Sequence, residues 1–557
     1  MFSQLLPILR RLPVWLMCVL AAGCSTAGFW EPGTPPPEVL LNAGNNDEAP
    51  AEGASKTGES AEGASQARPR TFPHAIRAYL HCLHCPPSTA ETRNYAGAAP
   101  RADTDQGNGK KGEDKEAESD AEKAKGNNEK VKEGNGNGKD KEAEPAWYSA
   151  HAQATVVTQT HGRFHSPYVG ENSLLPEEHT ATSMTGTLFL DARLWENGGS
   201  SGELVFNPEI AGGRGLSEVH GVAGFPNGEI TRVGVPEPTP YIARLFYRQT
   251  CGFGGEEEKV EEGPNQIAGT RDTDRLTLLV GKMAATDLVD DNRYSHDPRT
   301  MFLNWSLMYN GAWDYPANVR GYTYGVGIDV NRKDWAWRYG VFAEPSIANG
   351  APLDPHILKA NGHVTEYERR YTLSDHPGKL RLLAYLNHAH MGNYREALAE
   401  MPVNPDVTLT RAYRIKYGFG ANLEQELTED LGLFARLGWN DGRTESWAFT
   451  EIDRTAALGL VLKGRCWCRP QDLLGLAVVF NGLSHEHRDY LAAGGLGFII
   501  GDGRLHYAPE EILEAYYNLQ IIKGINVTAD FQGVNHPAYN QDRGPVAVVA
   551  LRVHIEF

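Results

Sequence analysis

Residues 546–557 read VAVVALRVHIEF. Val549, Leu551, Val553, Ile555 and the terminal Phe557 fall on one face of an extended chain, and Ala550, Arg552, His554 and Glu556 on the other. A period of two with one apolar and one polar face marks a strand, because successive side chains point to opposite sides of a sheet. Two settings accept such a strand. It is either the edge of a soluble sandwich, or part of a closed barrel whose apolar face meets lipid and whose polar face meets water. Charges are cheap against a water-filled lumen and costly against lipid.

The same texture extends upstream to about His151. SMTGTLFLDARLW sets Met184, Leu188, Leu190, Ala192 and Leu194 against Thr185, Thr187, Asp191 and Arg193. RGYTYGVGIDV sets Tyr322, Tyr324, Val326, Ile328 and Val330 against Thr323, Gly325, Gly327 and Asp329. EDLGLFARLGW sets Leu431, Leu433, Ala435, Leu437 and Trp439 against Asp430, Phe434 and Arg436. Asn440-Asp441-Gly442, Asn481-Gly482 and Gly501-Asp502-Gly503 read as hairpin turns between such runs. HAHMGNYREALAE, residues 388–400, is one of few helical candidates and could equally be a loop insert. So many strands with an apolar outer face need closure or a partner sheet. At roughly 25 residues per strand with its connections, residues 151–557 hold about 16 strands. The reading is an all-β membrane protein: a closed antiparallel transmembrane β-barrel with a disordered N-terminal extension.

Composition permits this. The chain of 557 residues carries a net charge of -18, and its mean hydropathy of -0.45 looks soluble. A barrel with a polar interior never looks greasy on average. The negative balance argues against a nucleic-acid partner, which needs a basic surface. No long apolar run follows the N-terminus, so no transmembrane helix is expected.

Residues 1–23 read as a signal peptide: Arg10 and Arg11, then the short apolar core LPVWLMCVLAA. Ala21-Ala22-Gly23-Cys24 resembles a bacterial lipoprotein box, though Ala stands where Leu is usual, and it makes Cys24 a candidate for lipidation. Residues 24–70 read as a disordered linker. Residues 71–98 form a small island with His81, Cys82, His84 and Cys85, which are too close in sequence to complete one tetrahedral metal site easily. Residues 99–147 are a charged, low-complexity linker that cannot repay the entropy of ordering. The barrel domain spans 148–557. Of the seven cysteines, Cys466 and Cys468 are placed in a turn.

Three stretches carry a family resemblance: GELVFNPEIAGGRGLSEVHGVAGFPNGEI (202–230), LTLLVGKMAATDLVDDNRYSHDPRTMFLNWSLMYNGAWDYPANVRGYTYG (276–325) and EAYYNLQIIKGINVTADFQGVNHPAYNQDRGPVAVVALRVHIEF (514–557). Here the chain resembles the bacterial outer-membrane carbohydrate-selective porins of the OprB family. The resemblance implies a 16-stranded barrel in the Gram-negative outer membrane, loops folded inward to a constriction, and passive diffusion of sugars without a cofactor. It implies nothing for residues 25–145.

A sugar offers hydroxyls and an apolar ring face, so its channel needs fixed hydrogen-bond donors and acceptors that bind weakly enough to release it. Candidate pore-lining or solute-contacting residues are Asn207, Glu209, Arg214, Glu218, Asn227, Glu229 and Arg232 in the first stretch. Asp191, Arg193, Glu203, Arg244, Arg320 and Arg436 are candidates at inward strand positions, and Arg293 and Asp297 in the connection 291–316. Asn207, Glu209 and Asn227 also suit local loop bracing. Trp305, Trp313 and Tyr315 are candidate sugar platforms. Trp335 and Trp337 are candidates too, but suit an aromatic belt at the membrane edge better. Asp287, Asp290, Asp291 and Asn292 could be drawn as a carboxyl pair or a cation clamp. A lumenal rim supplies carboxylates in any case, so no catalytic residue is assigned. The expected partners are a small sugar or other small polar solute and membrane lipid. Alternatives are a channel for other solutes, or a barrel anchoring its N-terminal arm to a periplasmic or peptidoglycan partner.

Overall fold

The computed structural model describes residues 146–230 and 236–557. The expected signal peptide, Cys24, the Cys/His island and nearly all of the charged linker fall outside these residues, as does Arg232. The described chain forms β1 (Tyr148–His161), β2 (His179–Asn197), β3 (Ser200–Gly213), β4 (Thr239–Gly252), β5 (Glu257–Val260), β6 (Gly269–Asp272), β7 (Arg275–Met283), β8 (Thr323–Asn331) and β9 (Trp335–Ala343). It continues through β10 (Asn361–Leu373), β11 (His376–Met391), β12 (Ala412–Glu426), β13 (Leu431–Asn440), β14 (Arg454–Gly464), β15 (Arg469–Gly482), β16 (Glu510–Ile522), β17 (Ile525–Asn535) and β18 (Val546–Glu556). Three short helices are α1 (Trp305–Met308), α2 (Tyr394–Glu400) and α3 (His485–Ala492).

All strands except β5 and β6 join one closed antiparallel barrel of 16 strands. The terminal stretch closes it: β18 pairs with β17 on one side and with β1 on the other, from Gln153↔Glu556 to His161↔Val548. Its two faces separate as their alternation requires. Val549 and Leu551 are 47% and 49% exposed, whereas Arg552 and His554 are 0% and 1% exposed. In β2, Leu188, Leu190 and Leu194 point outward while Thr185, Thr187, Asp191 and Arg193 are buried inside. In β13, Leu437 and Trp439 point out, and Phe434 and Arg436 point in. Apolar residues outside and polar residues inside invert the soluble pattern, which makes lipid the outer solvent. Trp337 lies on the outward face, with Tyr339 stacked beside it at 6.3 Å.

Antiparallel order sends alternate connections to opposite ends. One end has tight turns such as Gly198-Gly199, Ser374-Asp375 and Lys523-Gly524; the other has long connections, including 214–238, 284–322, 441–453 and 483–509. The turn motifs expected from sequence mostly sit at the long end. Asn440-Asp441-Gly442 opens the connection 441–453, Asn481-Gly482 ends β15, and Gly501-Asp502-Gly503 lies inside 483–509. Two of the three carry a positive φ, at Gly442 (58°) where the chain leaves the sheet and at Gly501 and Gly503 (134° and 81°) within the loop, whereas Asn481-Gly482 does not. The tight turns use the same chemistry, with positive φ at Gly198, Gly199, Ser374, Asp375 and Gly524.

Two other expectations change. The helix or loop insert expected over 388–400 is strand through Met391, and Tyr394–Glu400 is a short helix in the connection that follows, capped by the Asn393 side chain. Tyr322 precedes β8 instead of sharing the outward face of Tyr324: its N–H is held in a turn by the Asn318 carbonyl side chain, and its ring is 8% exposed. Cys466 and Cys468 do occupy a short turn region, between β14 and β15.

Candidate functional site: the lumen and its infolded loops

The connection 284–322 is crowded with Asn and Asp because it turns repeatedly. The side-chain carbonyls of Asn292, Asn304, Asn310 and Asn318 accept from the backbone N–H two residues on, at 2.9, 3.0, 3.1 and 3.0 Å. Asp297 does the same for Arg299 at 3.0 Å. Each such bond fixes a bend without help from a sheet. Asn304 thereby also caps α1.

The bends bring aromatic rings together inside the barrel. Trp305 stacks on Phe225 of the connection 214–238 at 4.9 Å, and Tyr315 stacks on Phe449 of 441–453 at 5.0 Å. Three loops therefore share one apolar core in the lumen. Trp305, Trp313 and Tyr315 are 5%, 0% and 4% exposed. They pack loops together and are not available as sugar platforms, because the faces a sugar would use are taken by other rings.

The far wall of the barrel holds this core by polar contacts to loop backbone. The Glu514 carboxylate of β16 accepts from the N–H groups of Leu303 and Asn304 at 2.5 and 2.9 Å. Glu510 accepts from Ala223 and Gly224 at 3.0 and 2.7 Å. Arg436 of β13 donates to the carbonyls of Leu307 and Ser295 at 2.8 and 2.7 Å, and Arg552 of β18 to that of Met301 at 2.9 Å. Within the loops, Asp314 accepts from Trp447 and Ala448 at 2.6 and 2.8 Å. Buried backbone groups must find partners, and these charged side chains supply them.

On the other side, charged side chains pair mainly with one another, and Arg244, Asp287 and Arg299 keep an accessible edge. Arg244 of β4 grips Asp287 with two bonds of 2.8 and 2.6 Å, at side-chain exposures of 16% and 21%. Arg299 bonds Glu229 at 2.8 Å and reaches Glu209 at 3.4 Å. The Tyr241 hydroxyl also donates to Glu209, and Arg320 lies 4.2 Å over the Tyr241 ring. Deeper along this wall, Arg381 spans Glu368 and Glu424 at 2.8 and 3.0 Å and approaches Asp291 at 3.6 Å, while Arg338 bonds Glu366 at 2.8 Å. His296 and Tyr309 meet edge to face at 5.2 Å.

The loop groups titrate as this arrangement dictates. Burial works to raise the Asp297 carboxyl, but the neighbouring Arg299 guanidinium and backbone N–H hold it below its ordinary value. Burial wins at Glu229, which is raised despite Arg299. Burial also pushes the Tyr309 hydroxyl up to about 12. The accessible surface thus offers guanidinium forks, carboxylate acceptors and phenol hydroxyls held in place by each other, with little free charge.

The sequence candidates divide accordingly. Glu209, Glu229, Arg244, Asp297 and Arg320 come together here. Asp191, Arg193 and Glu203 lie inward at the tight-turn end, where Arg193 bonds Glu203 at 3.2 Å and Asp191 receives Arg248 at 3.0 Å. Arg293 bonds Glu426 at 2.9 Å. Arg214 and Glu218 pair with each other and are exposed. Several candidates are covered instead of water-facing: Arg436 (1% exposed) braces the loop, Asn227 donates to Ser183 at 2.9 Å, Asn207 is buried in β3, and Asp191, Glu209 and Glu229 are buried beneath the arginines they pair with. The infolded loops bury inward positions that alternation alone leaves open. Asp287, Asp290, Asp291 and Asn292 do not converge on one point: they engage Arg244, Arg436, Arg381 and Asn422 respectively.

Sequence reading missed Arg299, Tyr309, Arg338 and Arg381 as site residues. Arg338 and Arg381 stand at inward register positions between outward apolar residues, a signal that was present. Arg299 and Tyr309 lie in a loop and carry no periodicity.

The family described as Carbohydrate-selective porin, OprB family, matches residues 178–557. Among solved structures, that of Pseudomonas putida OprB is similar with a TM-score of 0.56 at 16% identity, over 74% of this chain and 94% of that one. The outer membrane channel DcaP of Acinetobacter baumannii gives a TM-score of 0.42 at 9% identity, over 74% and 97% of the two chains. Pseudomonas aeruginosa OccK8 (OprE) gives 0.37 at 9%, over 74% and 98%. A search of curated proteins returns no match. The family match spans all but the first strand of the barrel. The lumen is accordingly a passive path for carbohydrates across the Gram-negative outer membrane, and the chain belongs to the OprB family of carbohydrate-selective porins.

Proposed function

We propose that sugars pass along the wall bordered by Arg244, Asp287, Asp297, Arg299 and Arg320, exchanging water for hydrogen bonds with these side chains, with Arg299 held from behind by the buried Glu209 and Glu229. The observation that carries this reading is the two-bond grip of Arg244 on Asp287 at partial exposure. A guanidinium fixed in this way keeps donors free for a hydroxyl without ordering a loose side chain on binding. Near-complete pairing of charge also suits neutral solutes better than ions. Asp191, Arg193 and Glu203 belong to the same path nearer its end, and Arg293 borders it through Glu426.

Single-channel recording with graded sugars tests this. Sugars should block the wild-type current in a concentration-dependent way, and Arg244→Ala should weaken the block. Block by organic anions and not by sugars would overturn the solute assignment. The channel is assigned to residues 148–557. A chain lacking residues 25–145 should therefore conduct as the full chain does, and loss of conductance by a folded truncated barrel would give the N-terminal arm a role in passage.

A further inference from the structure

The tight-turn end has one connection unlike its neighbours. Residues 253–274 join β4 to β7 and contain the hairpin β5–β6, where other turns at this end need only a few residues. The hairpin lies against the inward face of successive barrel strands. Glu258 bonds Arg275 of β7 at 2.8 Å. Arg248 of β4 donates to the Asn265 carbonyl at the hairpin's tip at 2.8 Å. Glu262 lies 3.6 Å from His151 of β1. At Gly269, the space for a Cβ is bounded by the Arg193 guanidinium of β2 at 3.3 Å. Val260 and Ile267 are 8% and 2% exposed. A turn hanging outside the barrel makes none of these contacts. One face of the hairpin is thus fixed to the wall, while Lys259 and Thr270, paired across it, are exposed on the other.

We propose that β5–β6 is an inner strap that narrows the tight-turn mouth of the barrel and sets a second size limit on saccharides after the infolded loops. In an outer-membrane barrel the short turns face the periplasm, so the strap acts at the exit. Its contacts come from β1, β2, β4 and β7, the sector that carries Asp191, Arg193 and Glu203. Those residues therefore meet solute only in the space the strap leaves.

The inference rests on the channel reading, and the wild-type recording separates the two: a wild-type barrel that does not conduct defeats the channel reading itself. Residues 256–273 are replaced by Gly-Gly in the full chain, and barrel formation is checked by heat-dependent gel mobility. The folded variant should conduct at least about 1.5-fold more than wild type, since conductance follows the narrowest sections in series. It should also admit larger oligosaccharides in liposome swelling. Lys259→Trp adds bulk at an exposed position without touching the wall and should lower conductance; it decides the matter alone if the deletion does not fold. Unchanged conductance and size limit in the folded deletion, or unchanged conductance in Lys259→Trp, overturns the strap.

Discussion

Two walls of one lumen use the same residue types differently. On the β13 to β18 side, Arg436, Glu510, Glu514 and Arg552 are spent on loop backbone and are 0% to 1% exposed. On the β3 to β11 side, Arg244, Arg338 and Arg381 are matched mainly by carboxylates, and the first two keep an accessible edge. One wall braces the infolded loops, and the other is the one we propose as the border of the sugar path. An inward Arg or Glu is cheap in both places, but for different reasons: backbone dipoles satisfy it in the first, a counter-charge and water in the second.

Breaking the bracing wall should give the largest effect. Arg436→Met removes the counter-charge of Asp290 and the donors to the Leu307 and Ser295 carbonyls. Removing one partner of a buried ion pair costs about 3–5 kcal/mol. Denaturant unfolding should show the loss, and the current through surviving channels should become larger and noisier as the loop loosens. An unchanged midpoint would erase the distinction between the walls.

The adjacent position sharpens it. Leu437 is 59% exposed on the outer face. Leu437→Arg puts onto lipid the side chain that Arg436 carries inside, at a cost of about 2 kcal/mol toward the membrane centre. Folding into bilayers should report it, while the conductance of folded channels should stay at the wild-type value.

On the opening wall, Arg244→Ala should weaken sugar block by about tenfold, equivalent to about 1.4 kcal/mol, with little change in unfolding midpoint. A stability loss matching that of Arg436→Met would make Arg244 a brace as well.

A pH effect comes next. Asp297 has a folded pKa below its unfolded value. It therefore adds stability above the unfolded value, about 4, and that contribution disappears as pH falls through the folded value. The unfolding midpoint of the wild-type barrel should fall in this acid range, and Asp297→Asn should flatten that limb while matching other variants of the opening wall near neutrality. The smallest effect belongs to neither wall. Arg214 and Glu218 form an exposed pair with side chains 55% and 54% accessible, so Arg214→Ala should change stability by no more than about 0.5 kcal/mol and leave the current unaltered.

Much of the barrel was legible because its rule is local. A strand between lipid and water must alternate, and 546–557, 183–195 and 429–439 each do so. The inward candidates Asp191, Arg193, Glu203 and Arg244 follow from that rule. Loop chemistry was legible only as turning: NDG marks a left-handed bend and NG a strand end, and the length of the following connection is not written in them. The run EEEKVEEGPNQIAGTRD, residues 256–272, carries too short an apolar signal to mark its hairpin, since its only buried aliphatic anchors are Val260 and Ile267.

The sequence by itself determined the barrel, the approximate strand number and the two faces of each strand, because a period of two and a lipid exterior leave one solution. It also marked 291–316 as a connection between two strands. Only the tertiary structure decided which inward residues meet water. That depends on where 214–238, 284–322 and 441–453 settle, through contacts such as Glu514 with Leu303 and Asp314 with Trp447 that join residues far apart in the chain. Trp305 and Arg436 show the reason. Each has side-chain chemistry suited to a sugar, and each is covered because loop rings and carbonyls reach it first.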